Sequence, residues 1–145
     1  MKNEESVLEL IEYIIGENRF GLPIEMVNEI IQPISVTKIP QSHPYVEGII
    51  QLRGEVYPVI DFRKLLGGGN DELQQKFIVA SIDGRNVVFH VDDVLQIHRI
   101  SASIIEEPTD LYEGDQLPLT GVVKFEEGMM LIMDYVKLLN HVLED

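Results

Sequence analysis

The chain has no cysteine among its 145 residues. That excludes disulfides, thiol nucleophiles and cysteine-ligated metals, and it fits a reducing compartment. Basic residues are also scarce: 11 Lys and Arg stand against 25 Asp and Glu, a net charge of -14. Such a surplus repels phosphate backbones and anionic lipid, so nucleic acid and membrane surfaces are poor partners. No stretch approaches the ~20 apolar residues of a membrane span. The opening MKNEESVLELIEY is acidic and lacks a long apolar run, unlike a signal peptide. What the chain does have is apolar material. At 45% hydrophobic it can bury a core, as one domain or as two small subdomains sharing one. The acidity is uneven: residues 33–69 carry a net of +1, whereas 1–32 carry -5 and 70–145 carry -10. The less acidic middle is a candidate face for a protein partner.

One phrase occurs twice. Gly48 to Leu66 reads GIIQLRGEVYPVIDFRKLL and Gly121 to Leu139 reads GVVKFEEGMMLIMDYVKLL, aligned without a gap at an offset of 73. Gly48/Gly121, Asp61/Asp134, Lys64/Lys137, Leu65/Leu138 and Leu66/Leu139 match outright, and most other pairs are conservative. A shared pattern of apolar positions implies a shared local fold. Differences between the copies are then less constrained by that fold. Arg53 faces Glu126, Gly54 faces Glu127 and Pro58 faces Leu131, which makes Arg53 a candidate for function.

Periodicity predicts strands over 7–15 and 19–22, joined by a turn at 16–18. Pro23 then opens a predicted helix to Ile31, with Ile24, Val27 and Ile31 at helical spacing. A brief extended segment follows at 36–39. The first copy reads as strand, turn at Gly54-Glu55, strand, and a one-turn helix capped by Asp61. Residues 77–82 and 87–91 form a hairpin about Asp83-Gly84, and 94–100 extends it. Gly67 to Asn70 reads as a linker and 101–118 as a polar loop. The second copy ends in a helix capped by Asp134 and running to about Leu143. The result is about ten short strands and three short helices, a mainly β chain in which the repeat implies two similar small barrels sharing an apolar interface.

Few residues form a chemical constellation. Asp61 and Asp134 are the candidate pair for acid–base hydrolysis, but each precedes a helix and is better explained as a cap. His90 and Asp92 share a strand face while Asp93 does not, and two ligands do not make a metal site. No metal or cofactor is expected. The GGGN run lacks the lysine of a phosphate loop. A small-ligand barrel would need a sizeable apolar pocket. Arg53, before Gly54 at a strand end, is either a surface ion-pair partner of Glu55 or Glu29 or an interface anchor.

The run Val46-Glu47-Gly48-Ile49-Ile50-Gln51-Leu52-Arg53-Gly54, followed by Pro58-Val59-Ile60-Asp61-Phe62, resembles the signature of CheW-type chemotaxis coupling domains. Phe20-Gly21, Met26-Val27-Asn28-Glu29-Ile30 and the closing Asp134-Tyr135-Val136-Lys137-Leu138-Leu139 fit the same pattern, over about residues 7 to 141. The resemblance implies one CheW-like domain across 1–145: two five-stranded β-barrels, the first about 16–70 and the second about 71–133, termini packing across, and a last helix at 134–143. It implies a non-enzymatic, cytoplasmic adaptor, recruited to membrane receptor arrays, that ties the regulatory domain of the histidine kinase CheA to chemoreceptor tips. By position, receptor contacts would be Arg53, Val27, Glu29, Ile30, Gly48, Val94 and Ile97, with Phe77 toward the kinase. The stretch Val36-Thr37-Lys38-Ile39-Pro40 with Ser42-His43-Pro44 is similar to CheV, in which a receiver domain follows the coupling domain. The chain then reads as a stand-alone coupler or the N-terminal portion of a longer protein.

Overall fold

A computed structural model describes residues 6–68, 74–108 and 117–143. Ten strands are present among them: β1 (Val7–Ile15), β2 (Asn18–Pro23), β3 (Val27–Ile31), β4 (Val46–Leu52), β5 (Glu55–Asp61), β6 (Lys76–Ile82), β7 (Arg85–Val91), β8 (Asp93–Ser101), β9 (Leu119–Phe125) and β10 (Gly128–Met133). Two α-helices, α1 (Phe62–Leu65) and α2 (Tyr135–Leu143), follow the two copies of the repeat. The strands form two five-stranded sheets. A central sheet has the order β3-β6-β7-β5-β4, and a flanking sheet has the order β8-β1-β2-β10-β9.

Both sheets follow one plan. Each contains a hairpin, an edge strand and a copy of the repeat, and in each the repeat's second strand runs parallel to the hairpin: β5 to β7 (Val59 opposite Val88) and β10 to β2 (Ile132 opposite Gly21). The hairpin that precedes each repeat in sequence is built into the other repeat's sheet. The expected boundaries, 16–70 and 71–133, therefore do not follow the sheets. Hairpin β6–β7 completes the sheet of the first copy, and hairpin β1–β2 completes that of the second.

This exchange places two-faced hairpins at the middle of the molecule. Along β6, Ile78, Ala80 and Ile82 join the core between the sheets, while Phe77 and Val79 fill the inside of the curled central sheet. Along β7, Val87, Phe89 and Val91 face the shared core and Val88 faces inward. That is why these strands read as unbroken apolar runs. From the other sheet, Tyr13, Ile15, Phe20 and Leu22 enter the same core, and Phe62 and Tyr135 bring in both helices. The apolar interface expected of the repeat is therefore present.

Each sheet is closed by a short extended segment after its edge strand. Thr37 bridges Ile49 in the central sheet and Glu106 bridges Val122 in the flanking one. The matched glycines of the repeat explain themselves here. A Cβ on Gly48, at φ +153, would lie 2.2 Å from the Thr37 carbonyl oxygen, and one on Gly121 would lie 2.5 Å from Ile105 Cγ2. Both positions need a missing side chain for the closing segment to dock.

The predicted helix over 24–31 is absent. A single 3-10 turn spans Ile24–Met26, and Val27–Ile31 is the edge strand β3, paired to β6. The β-branched residues Val27, Ile30 and Ile31 favour the strand, and a run this short fits either period. The helix caps are as expected. Asp61 Oδ1 accepts from the Lys64 N–H at 3.0 Å, and Asp134 Oδ1 from the Lys137 N–H at 3.0 Å. The expected linker at 67–70 and the loop at 101–118 fall partly outside the described residues.

Candidate functional site

The β4–β5 turn carries Arg53 in a left-handed conformation, φ +48, followed by Gly54 at φ +85. Two successive positive φ values are the signature of a tight hairpin turn whose twist matches its strands. From this turn the Arg53 guanidinium reaches back to edge strand β3 and grips Glu29 with both terminal nitrogens: Nη1 donates to Oε2, and Nη2 to Oε1 at 3.0 Å. The hydrogen bond and charge of Arg53 lower the Glu29 carboxyl below its ordinary range, and Glu29 in turn raises Arg53. The Arg53 side chain is still 71% exposed. Two of the expected site residues, 24 positions apart, are thus joined, and the planar fork is held in a defined pose at the surface.

The four apolar candidates also fall into a pattern. β3 pairs with β6 so that Val27 opposes Ala80 and Ile30 opposes Ile78. β8 pairs with β1 so that Val94 opposes Tyr13 and Ile97 opposes Ile11. Since β6 and β1 are equivalent hairpin strands, Val27 corresponds to Val94 and Ile30 to Ile97. Val27 and Val94 pack on the core between the sheets. Ile30 is 38% exposed and Ile97 56% exposed. Each sheet therefore presents the same pair, one valine anchoring the strand and one isoleucine open to solvent. The ion pair breaks the symmetry, because the position matching Arg53 is Glu126 and carries the opposite charge.

The remaining candidates have other duties. Gly48 is buried and serves the closing bridge to Thr37. Phe77 is 1% exposed, lies inside the central sheet and meets the His90 ring edge-on at 5.0 Å. It cannot touch a partner without opening the sheet, so the kinase contact expected of it is withdrawn. Sequence reasoning passed over Val56 and Met129, exposed apolar residues at matching positions of the two repeats.

His90, Asp92 and Asp93 do not converge. The buried Asp92 binds Arg63 Nε at 2.8 Å and the Gly16 N–H at 2.7 Å, tying α1 to the β1–β2 turn, while Asp93 pairs with Lys76 at 3.2 Å. A cavity of about 500 Å³ opens on the flanking sheet, lined by Leu10, Pro23, Ile24, Ile105 and Ile132 among others. Its charged residues include Arg99 and Glu9, paired with each other at 3.3 Å.

Two curled sheets back to back, with an oriented arginine and repeated exposed isoleucines at their edges, define a small β scaffold whose distinctive chemistry faces outward. A family profile described as the CheW-like domain matches residues 9–143, and the chain belongs to that family. The chemotaxis protein CheW of Thermotoga maritima is 29% identical over 135 residues, covering 92% of this chain and 89% of the relative. CheW of Helicobacter pylori is 31% identical, covering 91% and 81%. Among solved structures, the scaffolding protein TtCheW of Thermoanaerobacter tengcongensis superposes with a TM-score of 0.78 at 31% identity, covering 88% of each chain. The protein is a chemotaxis coupling adaptor. Among the described residues no helix is long and apolar enough to cross a membrane.

Proposed function

We propose that this domain couples the regulatory domain of the histidine kinase CheA to the cytoplasmic tips of methyl-accepting chemoreceptors, and that the receptor docks on the surface marked by Arg53. The observation that carries the assignment is the bidentate Arg53–Glu29 pair, present in one sheet and absent at the matching position of the other. A guanidinium already oriented by one carboxylate loses little freedom when a partner engages its exposed face. Ile30 and Ile97 supply apolar area to the same role, and Val27 and Val94 hold their strands against the core. For the kinase we assign the exposed apolar positions Val56 and Met129 in place of Phe77. The domain works in the cytoplasm and reaches the membrane through its receptor. As the coupling domain of a CheV it would make the same two contacts.

The test is calorimetric titration of wild type, Arg53→Ala, Ile30→Ser and Val56→Ser against a receptor-tip fragment and the kinase regulatory domain. Arg53→Ala and Ile30→Ser should each weaken receptor binding about tenfold and leave kinase binding intact. Val56→Ser should do the reverse. Unchanged receptor affinity in a folded Arg53→Ala protein removes Arg53 from the interface, and failure of the wild type to bind either partner overturns the coupling role.

A further inference from the structure

At one end of the central sheet, three adjacent strands bring together Glu47 on β4, Asp61 at the end of β5 and His90 on β7. One ligand atom from each lies within 4.8 Å of the others. His90 Nδ1 faces Glu47 Oε1 at 2.8 Å, and His90 is opposite Asp61 in the parallel β5–β7 register. We propose that Glu47, Asp61 and His90 form a binding site for a divalent first-row transition ion, with His90 coordinating through Nδ1.

The far side of the imidazole favours this. His90 Nε2 lies 2.7 Å from Gln75 Oε1, and the same oxygen accepts from Arg63 Nη1 at 3.1 Å. Arg63 has only protons to offer, so it fixes the Gln75 amide with its oxygen toward His90. Nε2 is therefore the protonated nitrogen, and Nδ1 is left to carry either a second proton or a metal. A ligating histidine whose other ring N–H is held by a fixed oxygen acceptor is the usual arrangement around bound metals. The His90 ring is also held edge-on by Phe77, at 5.0 Å between centroids, and its side chain is only 10% exposed.

The donor set suits the ion. One neutral imidazole and two carboxylates balance a divalent charge, and imidazole selects for Zn²⁺, Co²⁺ or Ni²⁺ over Ca²⁺ or Mg²⁺. Bonds of about 2.0–2.2 Å set neighbouring donors roughly 3.3–3.6 Å apart, so small rotations of the half-buried carboxylates would open the His90–Glu47 contact from 2.8 Å to admit the ion and bring Asp61 to it. Asp61 keeps its cap throughout, because Oδ1 serves Lys64 and Oδ2 remains for the ion. The net charge of -14 raises the local cation concentration. The flanking sheet supplies a built-in contrast. Its matching positions are Thr120 for Glu47, Asp134 for Asp61 and Pro23 for His90, a set with one carboxylate and no imidazole. Both sheets fold, so the fold does not require the cluster.

The experiment titrates ZnCl₂ into the untagged, chelator-treated protein by calorimetry. CoCl₂ is run in parallel for its visible absorption, and thermal melts are recorded with and without metal. The expected result is one saturable site, Co²⁺ bands typical of nitrogen and oxygen ligation, and an upward Tm shift, since an ion that binds only the folded state stabilises it. Glu47→Gln, Asp61→Asn and His90→Ala should each weaken binding at least tenfold. Glu47→Gln and Asp61→Asn keep the native shapes and guard against unfolding in His90→Ala. His43→Ala tests a rival among the described residues, the His43 and His141 rings 6.0 Å apart, and should leave binding unchanged. No saturable binding overturns the proposal. So does binding that survives in Glu47→Gln and Asp61→Asn, or that is lost in His43→Ala.

Discussion

Tyr13 donates its hydroxyl proton to Tyr135 at 2.9 Å, joining residues 122 positions apart at the centre of the molecule. The direction follows from the next link, because Tyr135 gives its own proton to the Gly21 carbonyl at 2.8 Å. Burial drives both phenols above their ordinary range. The chain of bonds makes two apparently similar substitutions unequal. Tyr13→Phe removes one donor and leaves the Tyr135–Gly21 bond intact, at a cost of about 1 kcal/mol. Tyr135→Phe strands the Tyr13 hydroxyl and takes a donor from Gly21, at a cost of about 2–3 kcal/mol. Urea denaturation of the two variants should rank them in that order.

Gly48 and Gly54, both in the first copy of the repeat, differ in what they stand against. Gly48→Ala drives a Cβ into the Thr37 backbone in a left-handed region, so the closing bridge must open, at about 3 kcal/mol or more. Gly54 has φ +85 but nothing within 4 Å, so Gly54→Ala should cost only the strain of a left-handed alanine, about 1–2 kcal/mol. Thermal melts separate the cases, and equal losses would contradict the packing argument.

Gly48 was visible in the sequence as a matched point of the internal repeat, paired with Gly121, and so were the caps at Asp61 and Asp134. Those features depend on residues a few positions apart. The exchange of hairpins was not visible. A strand such as 77–82 reads as apolar on both faces whichever copy it joins, and only the parallel pairings Val59–Val88 and Ile132–Gly21 decide. Segment 24–31 failed for a related reason. Ile24, Val27 and Ile31 match a helix, and Val27, Glu29 and Ile31 match a strand; pairing to β6 settles the matter. The Glu29–Arg53 pair could be named as one of two options for Arg53. The Glu47–Asp61–His90 cluster could not, since it rests on cross-strand register over gaps of 14 and 29 residues.

The Arg53–Glu29 pair gives the fold a specific acid sensitivity. The folded Glu29 pKa lies below its unfolded value, with the Arg53 hydrogen bond the larger cause and its charge the smaller. Its stabilising effect is fully present above the unfolded pKa, near 4.3, and disappears as pH falls through the folded one. Arg53→Ala removes the cause. Stability of wild type and Arg53→Ala, followed by urea denaturation from pH 7 to pH 3, should therefore converge toward acid and separate above about pH 5. The separation should shrink in high salt, since the pair is exposed. Parallel curves would show that Arg53 leaves Glu29 unperturbed.

A much larger loss should follow from Arg63, although it stands on a four-residue helix at the surface. Its Nε holds the Asp92 carboxylate, which has 0% exposure, and its Nη1 fixes the Gln75 amide that orients His90. Arg63→Ala takes the cation from a buried carboxylate and leaves a space that the Ala side chain cannot fill. Breaking such a pair by removing one partner costs about 3–5 kcal/mol. Replacing both partners relieves the stranded charge, so Arg63→Leu with Asp92→Leu should recover part of the loss even though the Arg63–Asp92, Arg63–Gln75 and Asp92–Gly16 bonds are all gone. Denaturant melts of the single and double variants test this. A double variant no more stable than Arg63→Ala would mean that the Asp92–Gly16 bond, rather than the ion pair, secures the β1–β2 turn against α1.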